Sequence, residues 1–307
     1  TESDAVDGGE ELNPPKFGQV QISIKPKNGS FVSDFDKTQI KNKLKNYAIA
    51  GINSEIVDLK ILYVELDTTV YYNPTQVASA QQLRTEVITA LNDYSKNVEI
   101  NKFGGRFKYS KINILIDRVD NGITSNITKV KIRRDLKALL NQFAQYELCF
   151  GNQFYIKPEG FNIKSTGFTI NGFNQTAFLT DVPNKDASGN LDGSMKGVLS
   201  VVSKNNKGQQ VIIVKSAGMV DYKKGEVILN TINITSTSAQ NNIIEVQAFP
   251  ESNDVIGLKD LYLDFDVSNS TINMVKDVIA SGEDVSGVVF QRDYYTSSYH
   301  NGDLERK

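Results

Sequence analysis

The sequence predicts an α+β fold, in which an N-terminal α/β domain precedes a β-rich, sandwich-like domain and a short C-terminal strand-helix segment. Three observations lead to this prediction. Strand-like and helix-like patterns alternate up to about residue 135. Short β-type runs separated by Gly, Asn, Asp and Ser continue to about residue 250. The length of 307 residues suits two or three domains.

The N-terminal part is predicted to begin with a flexible, acidic lead-in over residues 1–16 and to continue as a domain over residues 17–135. The alternation Val-Gln-Ile-Ser-Ile that begins at Val20 predicts a strand, because every second side chain would face the same side. Ser33 or Asp34 is predicted to cap the helix that follows this strand.

A long strand, two further helices and a short strand complete this domain. Residues 57–72 are rich in β-branched and aromatic side chains and predict the long strand. The Asn-Pro pair at residues 73–74 is predicted to begin the helix with the clearest apolar stripe. Residues 110–119 favour a helix capped by Ser110, although their alternating isoleucines also fit a strand. The predicted order is therefore strand, helix, strand, helix, helix, strand.

The β-rich domain is predicted over residues 136–250, because turn-forming residues separate its β-type runs at the spacing of a sandwich or barrel. Residues 251–307 are predicted to form the C-terminal segment with a polar tail. Within it, residues 258–267 predict a strand, and Ser270 is predicted to cap a helix after that strand.

The charge balance and the apolar pattern argue against several classes of function. The formal net charge is −2, from 34 basic and 36 acidic residues, so no overall field attracts polyanions. The apolar runs are much shorter than the ~20 residues of a membrane span. We therefore expect neither nucleic-acid binding nor membrane insertion. Cys149 is the single cysteine, which indicates a reducing compartment, and the missing start methionine indicates a fragment or a processed chain.

Residues of the kind that build common catalytic and metal sites are scarce. The single histidine, His300, lies in the polar tail, and zinc or copper sites draw on several Cys and His ligands. Residues 186–193 resemble the start of a calcium-binding loop but lack the glycine and the glutamate that the ion needs. Asp264 and Asp266 could act in glycoside hydrolysis, but the alternation predicts a solvated strand face. We expect no enzymatic activity, no cofactor and no bound metal.

Two clusters of side chains are candidates for contact with another protein. Tyrosine and arginine are enriched at interface hot spots, and cations that alternate along a strand would lie on one face. The tail cluster could instead fold back onto its own domain, and the strand cations could bind phosphates or face water. The predicted interface residues are Arg292, Tyr294, Tyr295 and Tyr299 in the tail, and Lys129, Lys131 and Arg133 on the strand.

Three segments carry a resemblance to a known family. The first is Gly-Gln-Val-Gln-Ile-Ser-Ile-Lys-Pro from Gly18, with the helix after it. The second is the strand ending Val-Tyr-Tyr-Asn at Asn73, with the helix ending Ala-Leu-Asn-Asp-Tyr at Tyr94. The third is Gly-Met-Val-Asp-Tyr-Lys-Lys-Gly-Glu-Val-Ile-Leu from Gly218. In this order they resemble the C-terminal part of the baseplate wedge proteins of contractile-tailed, T-even-like phages, and more loosely the baseplate J family.

The resemblance implies a structural subunit of the virion's tail baseplate, assembled in the host cytoplasm. Its partners would be itself, as a homodimer or ring, and other baseplate wedge proteins. It also implies a rearrangement when the tail sheath contracts, for which residues 134–146 and 248–254 are predicted hinges. The alternative is that the β-rich half is a receptor- or glycan-binding module of a phage tail.

Overall fold

The computed structural model describes residues 2–7, 15–27, 32–47, 51–96, 100–205, 209–278, 299–300 and 303–304. It is a predominantly β structure, with 50% of the described residues in strands and 16% in helices. The prediction of an α+β fold with an N-terminal α/β domain is therefore wrong. Its predicted order of elements is mostly found, but the strands join two separate sheets, and one of them extends into the β-rich half.

A small unit forms the N-terminal part of the described chain. It contains β1 (Glu2–Asp7), β2 (Gln19–Lys25), α1 (Asp34–Lys45) and β3 (Asn53–Val57). Strand β2 pairs antiparallel with β1 and parallel with β3, and α1 connects the parallel pair. The hydroxyl of Ser33 accepts a hydrogen bond from the backbone N–H of Asp36, so Ser33 caps α1 as predicted.

The centre of the molecule is a sheet built on two long antiparallel strands, β4 (Lys60–Tyr72) and β6 (Ile123–Lys137). Two short strands pair parallel with β4, one after the other along its free edge. These are β16 (Leu261–Phe265) and β17 (Thr271–Lys276). Strand β14 (Ile243–Ala248) pairs with the other edge of β6, so β6 belongs to both halves of the chain.

Two helices cover the inner face of this sheet. These are α2 (Ala80–Ser95), which buries Leu83, Val87 and Leu91, and α3 (Tyr109–Asp117), which buries Ile112 and Ile116. Alternate residues of β4, from Leu62 to Tyr72, are buried beneath them. Strand β5 (Arg106–Phe107) directly precedes α3 in the sequence and pairs antiparallel with β15 (Val255–Ile256). No helix among the described residues is both long and apolar enough to cross a membrane.

The β-rich half contains a five-stranded barrel instead of the predicted sandwich. Its strands are β9 (Phe168–Ile170), β10 (Phe173–Pro183), β11 (Lys196–Lys204), β12 (Gln210–Asp221) and β13 (Glu226–Thr237). They pair in this order, and β13 pairs with β9 to close the barrel. Strand β7 (Phe143–Cys149) adds to β13, and β8 (Lys164–Ser165) joins β10 to β14, so the barrel is continuous with the central sheet.

Two further elements complete the described chain. A 3₁₀ turn, Gln240–Asn242, precedes β14, and the short strands β18 (Tyr299–His300) and β19 (Asp303–Leu304) form a hairpin. The predicted helix after Ser270 is instead the strand β17. Strand β4 is longer than β16, so β17 pairs with the remaining backbone of β4 and this pairing outweighs the local helical pattern.

The structure also changes the predicted helix starts and the predicted hinges. Helix α2 begins after Ser79, while Asn73 organises a separate turn, and α3 begins after Lys108, before Ser110.

The predicted hinges are held by backbone pairing. Much of residues 134–146 is paired with β14 or β13. The segment 248–254 is held by backbone hydrogen bonds from Tyr155 to Phe249 and from Glu251 to Gln153. Neither segment is free to act as a hinge without breaking these bonds.

Candidate functional site

The predicted basic face lies on the outer side of β6, opposite the face that α3 covers. Lys129, Lys131 and Arg133 alternate along this side, as the sequence predicts. Their surroundings differ, because Lys129 is exposed, Lys131 is half-buried and Arg133 is buried. Lys131 lies 3.5 Å from a carboxylate oxygen of Asp67 on β4.

Arg133 is the centre of a buried cluster of charges that joins four parts of the chain. Its Nε donates to Glu65 on β4 at 2.5 Å, and its Nη1 donates to Asp135 at 2.7 Å. The same nitrogen donates to Glu245 on β14 at 3.1 Å, and Nη2 donates to Asp266 after β16 at 3.0 Å. Arg133 is thus occupied within its own chain, and we call this group the Arg133 cluster.

The environment of the Arg133 cluster shifts the pKa values of its carboxyl groups in different directions. Burial raises the pKa values of Glu65 and Asp135, and the charge of Arg133 opposes this effect. Burial also acts on Asp266, but hydrogen bonds from Ser268 and Asn269 outweigh it and lower the pKa. Four carboxyl groups share one guanidinium, so the cluster depends strongly on that single cation.

The acid pair at Asp264 and Asp266 does not form the predicted solvated face. The side chain of Asp266 is 12% exposed and bound to Arg133. Burial raises the pKa of Asp264, which Lys25 of the N-terminal unit opposes. The ammonium of Lys25 also lies 5.6 Å from the ring centre of Tyr262, so the small unit contacts the central sheet here.

The predicted interface residues in the tail fall mainly outside the described residues. This applies to Arg292, Tyr294 and Tyr295. The backbone of Tyr299 lies in β18 and pairs with Leu304. These residues stay predicted interface residues.

The segment from Gly218 to Leu229 forms the tight hairpin between β12 and β13. A side chain at Gly218 would place its Cβ 1.9 Å from the carbonyl oxygen of Ile228. Gly225 has a φ of +67°, and a Cβ there would lie 1.9 Å from the carbonyl oxygen of Asn152. Tyr222 is fully buried between them in sequence. The residues that carry the family resemblance therefore serve the folding of the barrel.

An exposed apolar cluster, which sequence reasoning missed, lies at one end of the N-terminal unit. Strands β2 and β3 are parallel, so their first residues and the last turn of α1 meet at the same end. Phe17, Tyr47 and Ile52 lie there, and they are 84%, 86% and 45% exposed. Among the described residues of this unit, Val6 is the one hydrophobic residue that is buried, with 8% of its surface exposed. We call Phe17, Tyr47 and Ile52 the apolar tip.

Within the described ranges, no group of three or more His, Cys, Asp or Glu side chains could hold a metal ion. In the loop 186–193, Asp186 instead accepts the backbone N–H groups of Ser188 and Asn190, at 2.8 and 3.0 Å. Cys149 is a half-buried free thiol whose pKa burial raises. The carboxylate of Asp186 thus stabilises its own loop, and the raised pKa favours the protonated thiol of Cys149.

Two models of known families match the N-terminal part of the chain. Residues 2–57 match the family model of the baseplate structural protein gp6, C-terminal domain I. Residues 60–135 match that of the baseplate structural protein gp6, C-terminal domain III. The predicted relationship to the C-terminal part of the baseplate wedge proteins is therefore confirmed. The predicted location in the virion's tail baseplate is confirmed by the same matches.

A curated relative names one particular protein that the chain is similar to. This is the baseplate wedge protein gp6 of Enterobacteria phage T4, which is 27% identical over 124 residues. The match covers 40% of this chain and 18% of the relative. The chain thus matches less than a fifth of that protein's length. The two family models meet between Val57 and Lys60, where the N-terminal unit joins the central sheet.

Proposed function

We propose that this chain is a structural subunit of a phage tail baseplate wedge. In this role it pairs with a copy of itself, contacts neighbouring wedge proteins and allows the baseplate ring to rearrange when the sheath contracts. We also propose that the role of this chain is mechanical and not catalytic. The match to two domains of a baseplate structural protein is the observation that carries it.

The apolar tip supports the self-pairing part of this proposal. Aromatic side chains that stay exposed in a monomer are typical of protein interfaces, because their burial on association is favourable. The described part of the N-terminal unit buries little of its own apolar surface. A small unit of this kind gains stability when it packs against another surface. Closed two-fold pairing would let the same tip serve both copies.

Light scattering of the purified chain at increasing concentration tests this proposal. We expect the wild-type chain to self-associate, and the double variant Phe17→Ser/Tyr47→Ser to remain monomeric. The variant Phe143→Ser is the matched control, because Phe143 is 73% exposed on the barrel, away from the tip. A wild-type chain that stays monomeric at high concentration, or a tip variant that still associates, would contradict the self-pairing.

The proposed rearrangement needs a flexible joint, and Asp58 and Leu59 are suited to this role. They alone separate β3 from β4, and the two family models meet at them. Ion pairs of Lys37 with Asp58, at 2.5 Å, and of Lys60 with Asp260, at 3.1 Å, flank the joint. Partly exposed ion pairs contribute little stability, so they permit rotation. We propose that the N-terminal unit turns about these two residues.

A glycan-binding role for the β-rich half remains the alternative, and one cleft favours it. Between β12 and β13 the barrel wall holds a cavity of about 240 Å³. Its lining includes Asn171, Asn230 and the exposed ring of Phe143, and a buried amide oxygen of Asn233 has no partner there. Amides and an aromatic ring suit a sugar. Binding on a glycan array that is lost in Asn233→Ala would support this alternative.

A further inference from the structure

A cavity with a strongly basic lining lies at the start of α3. Its volume is about 270 Å³. Four cationic side chains converge on it from a loop, a strand and the first turn of a helix. Its described lining includes Lys102, Arg106, Lys108, Lys111, Tyr94 and Ile100. The concentration of four basic residues within ten positions is a signal that was present in the sequence.

Three cations of this cavity have no carboxylate within ion-pair distance among the described residues. These three are Lys102, Arg106 and Lys108. Lys111 adds a fourth positive charge. The carboxylate of Asp254 accepts the backbone N–H of Tyr109 at 2.8 Å, so a side chain already occupies the N-terminus of α3. The cations, and not the helix end, therefore define the cavity.

The residues that carry these cations are held rigidly. The side chain of Asn101 accepts the backbone N–H of Phe265 at 3.0 Å, and the backbone carbonyl of Asn101 accepts the hydroxyl of Tyr262 at 2.6 Å. A side chain at Gly105 would come within 2.2 Å of the carbonyl of Ile100, so the loop is tightly closed. Arg106 lies in β5, which pairs with β15. A preformed cluster of charges binds an anion at a low entropic cost.

The lining also indicates which kind of anion fits. Tyr94 packs edge-on against Phe265 at 6.5 Å, and Ile100 is buried, so the cavity has an apolar wall beside its cations. An apolar wall suits the methylene groups of glutamate or aspartate. On the other flank of the same loop, Glu2 and Asp4 of β1 line a neighbouring groove with Lys102. This loop thus already lies beside one acidic strand.

We propose that this cavity is a docking site for an acidic segment of a neighbouring protein subunit. Carboxylate side chains of that segment bind among Lys102, Arg106 and Lys108, and their aliphatic parts pack on Tyr94 and Ile100. The site is too small for a nucleic-acid duplex, and the net charge of −2 gives no long-range attraction for one. The proposal rests on the proposed function, since it needs a neighbouring subunit in an assembly.

Fluorescence anisotropy with labelled hexaglutamate tests this proposal on the whole chain. We expect hexaglutamate to bind, hexaglutamine not to bind, and binding to weaken as salt is raised. Arg106→Glu/Lys108→Glu should weaken binding about tenfold or more, since two attractive charges become repulsive. Lys185→Glu/Lys196→Glu, with the same charge change on the barrel, should bind like the wild-type chain. Circular dichroism checks that each variant is folded.

Three results would overturn the docking site. One is equal binding by wild type and Arg106→Glu/Lys108→Glu, and another is the absence of any binding of hexaglutamate. The third is competition by inorganic phosphate or decathymidylate at the same concentration as hexaglutamate, which would indicate a phosphate site. Peptide binding is measured on the isolated chain. Its result therefore does not depend on whether the chain self-associates in light scattering.

Discussion

The hydroxyl of Tyr222 donates a hydrogen bond to Oδ2 of Asp181 over 2.6 Å, and both side chains are fully buried. Burial and the charge of Asp181 raise the pKa of Tyr222, so the phenol keeps its proton and acts as the donor. The other carboxylate oxygen of Asp181 accepts the backbone N–H of Ile163 at 2.6 Å. This pair links β12, β10 and the segment before β8, and it explains the tyrosine in the hairpin motif.

Tyr222→Phe should destabilise the chain by about 1.5–3 kcal/mol, because Asp181 loses one buried, charge-assisted hydrogen bond. Urea unfolding measures the loss. Tyr155→Phe is the control, since Tyr155 is 45% exposed and its change should cost much less. Equal stabilities of Tyr222→Phe and the wild-type chain would show that the bond contributes nothing.

Gly225→Ala should destabilise more than Gly172→Ala, although both glycines have a positive φ, +67° and +82°. The conformational cost of about 1–2 kcal/mol is common to both positions. At Gly225 the added Cβ also collides with Asn152, whereas at Gly172 nothing lies within 4 Å. Thermal unfolding of the two variants separates strain from collision. If both lose the same stability, the close approach to Asn152 is not a constraint.

Arg133→Met should lower the free energy of unfolding by about 3–5 kcal/mol, since it leaves buried carboxyl groups without their cation. Lys129→Met, on the same strand face but exposed, should change it by less than about 1 kcal/mol. Adding Glu65→Gln to Arg133→Met should recover part of the loss, because a buried charge that depends on Arg133 is removed. Without such recovery in urea unfolding, Arg133 would act through packing alone.

Asp264→Asn should change how stability depends on pH. The pKa of Asp264 is raised in the folded chain, so folding favours its proton. This contribution is present below the unfolded pKa and is lost as the pH rises through the folded pKa. The free energy of unfolding of Asp264→Asn, minus that of the wild-type chain, should therefore be larger at pH 7 than at pH 4. Urea unfolding at both pH values measures the difference, and a constant difference would argue against a raised pKa.

The sequence predicted those elements whose signal is local. The apolar stripe of α2, the β-branched and aromatic run of β4 and the alternating cations of β6 all lie within short stretches of the chain. The cap at Ser33 is also local, because its partner Asp36 lies three residues later in the chain. In each case the residues that determine the element are neighbours in the sequence.

What the sequence missed depends on distant partners. Strand β17 forms because β4, about 200 positions earlier, has unpaired backbone beyond β16. Arg133 is buried because Glu65, Glu245 and Asp266 approach it from far along the chain. The apolar tip forms where parallel strands begin, and only the pairing of β2 with β3 defines that place. Local periodicity contains no information on such pairings.

Electron microscopy of the extended and the contracted tail of the phage tests the central claim most directly. We expect this fold to lie in the baseplate ring of both states and to contact a second copy of itself. We also expect the N-terminal unit to change its angle to the central sheet about Asp58 and Leu59, while the Arg133 cluster stays intact. A baseplate that lacks this fold, or one that holds isolated copies without contacts between them, would contradict the account.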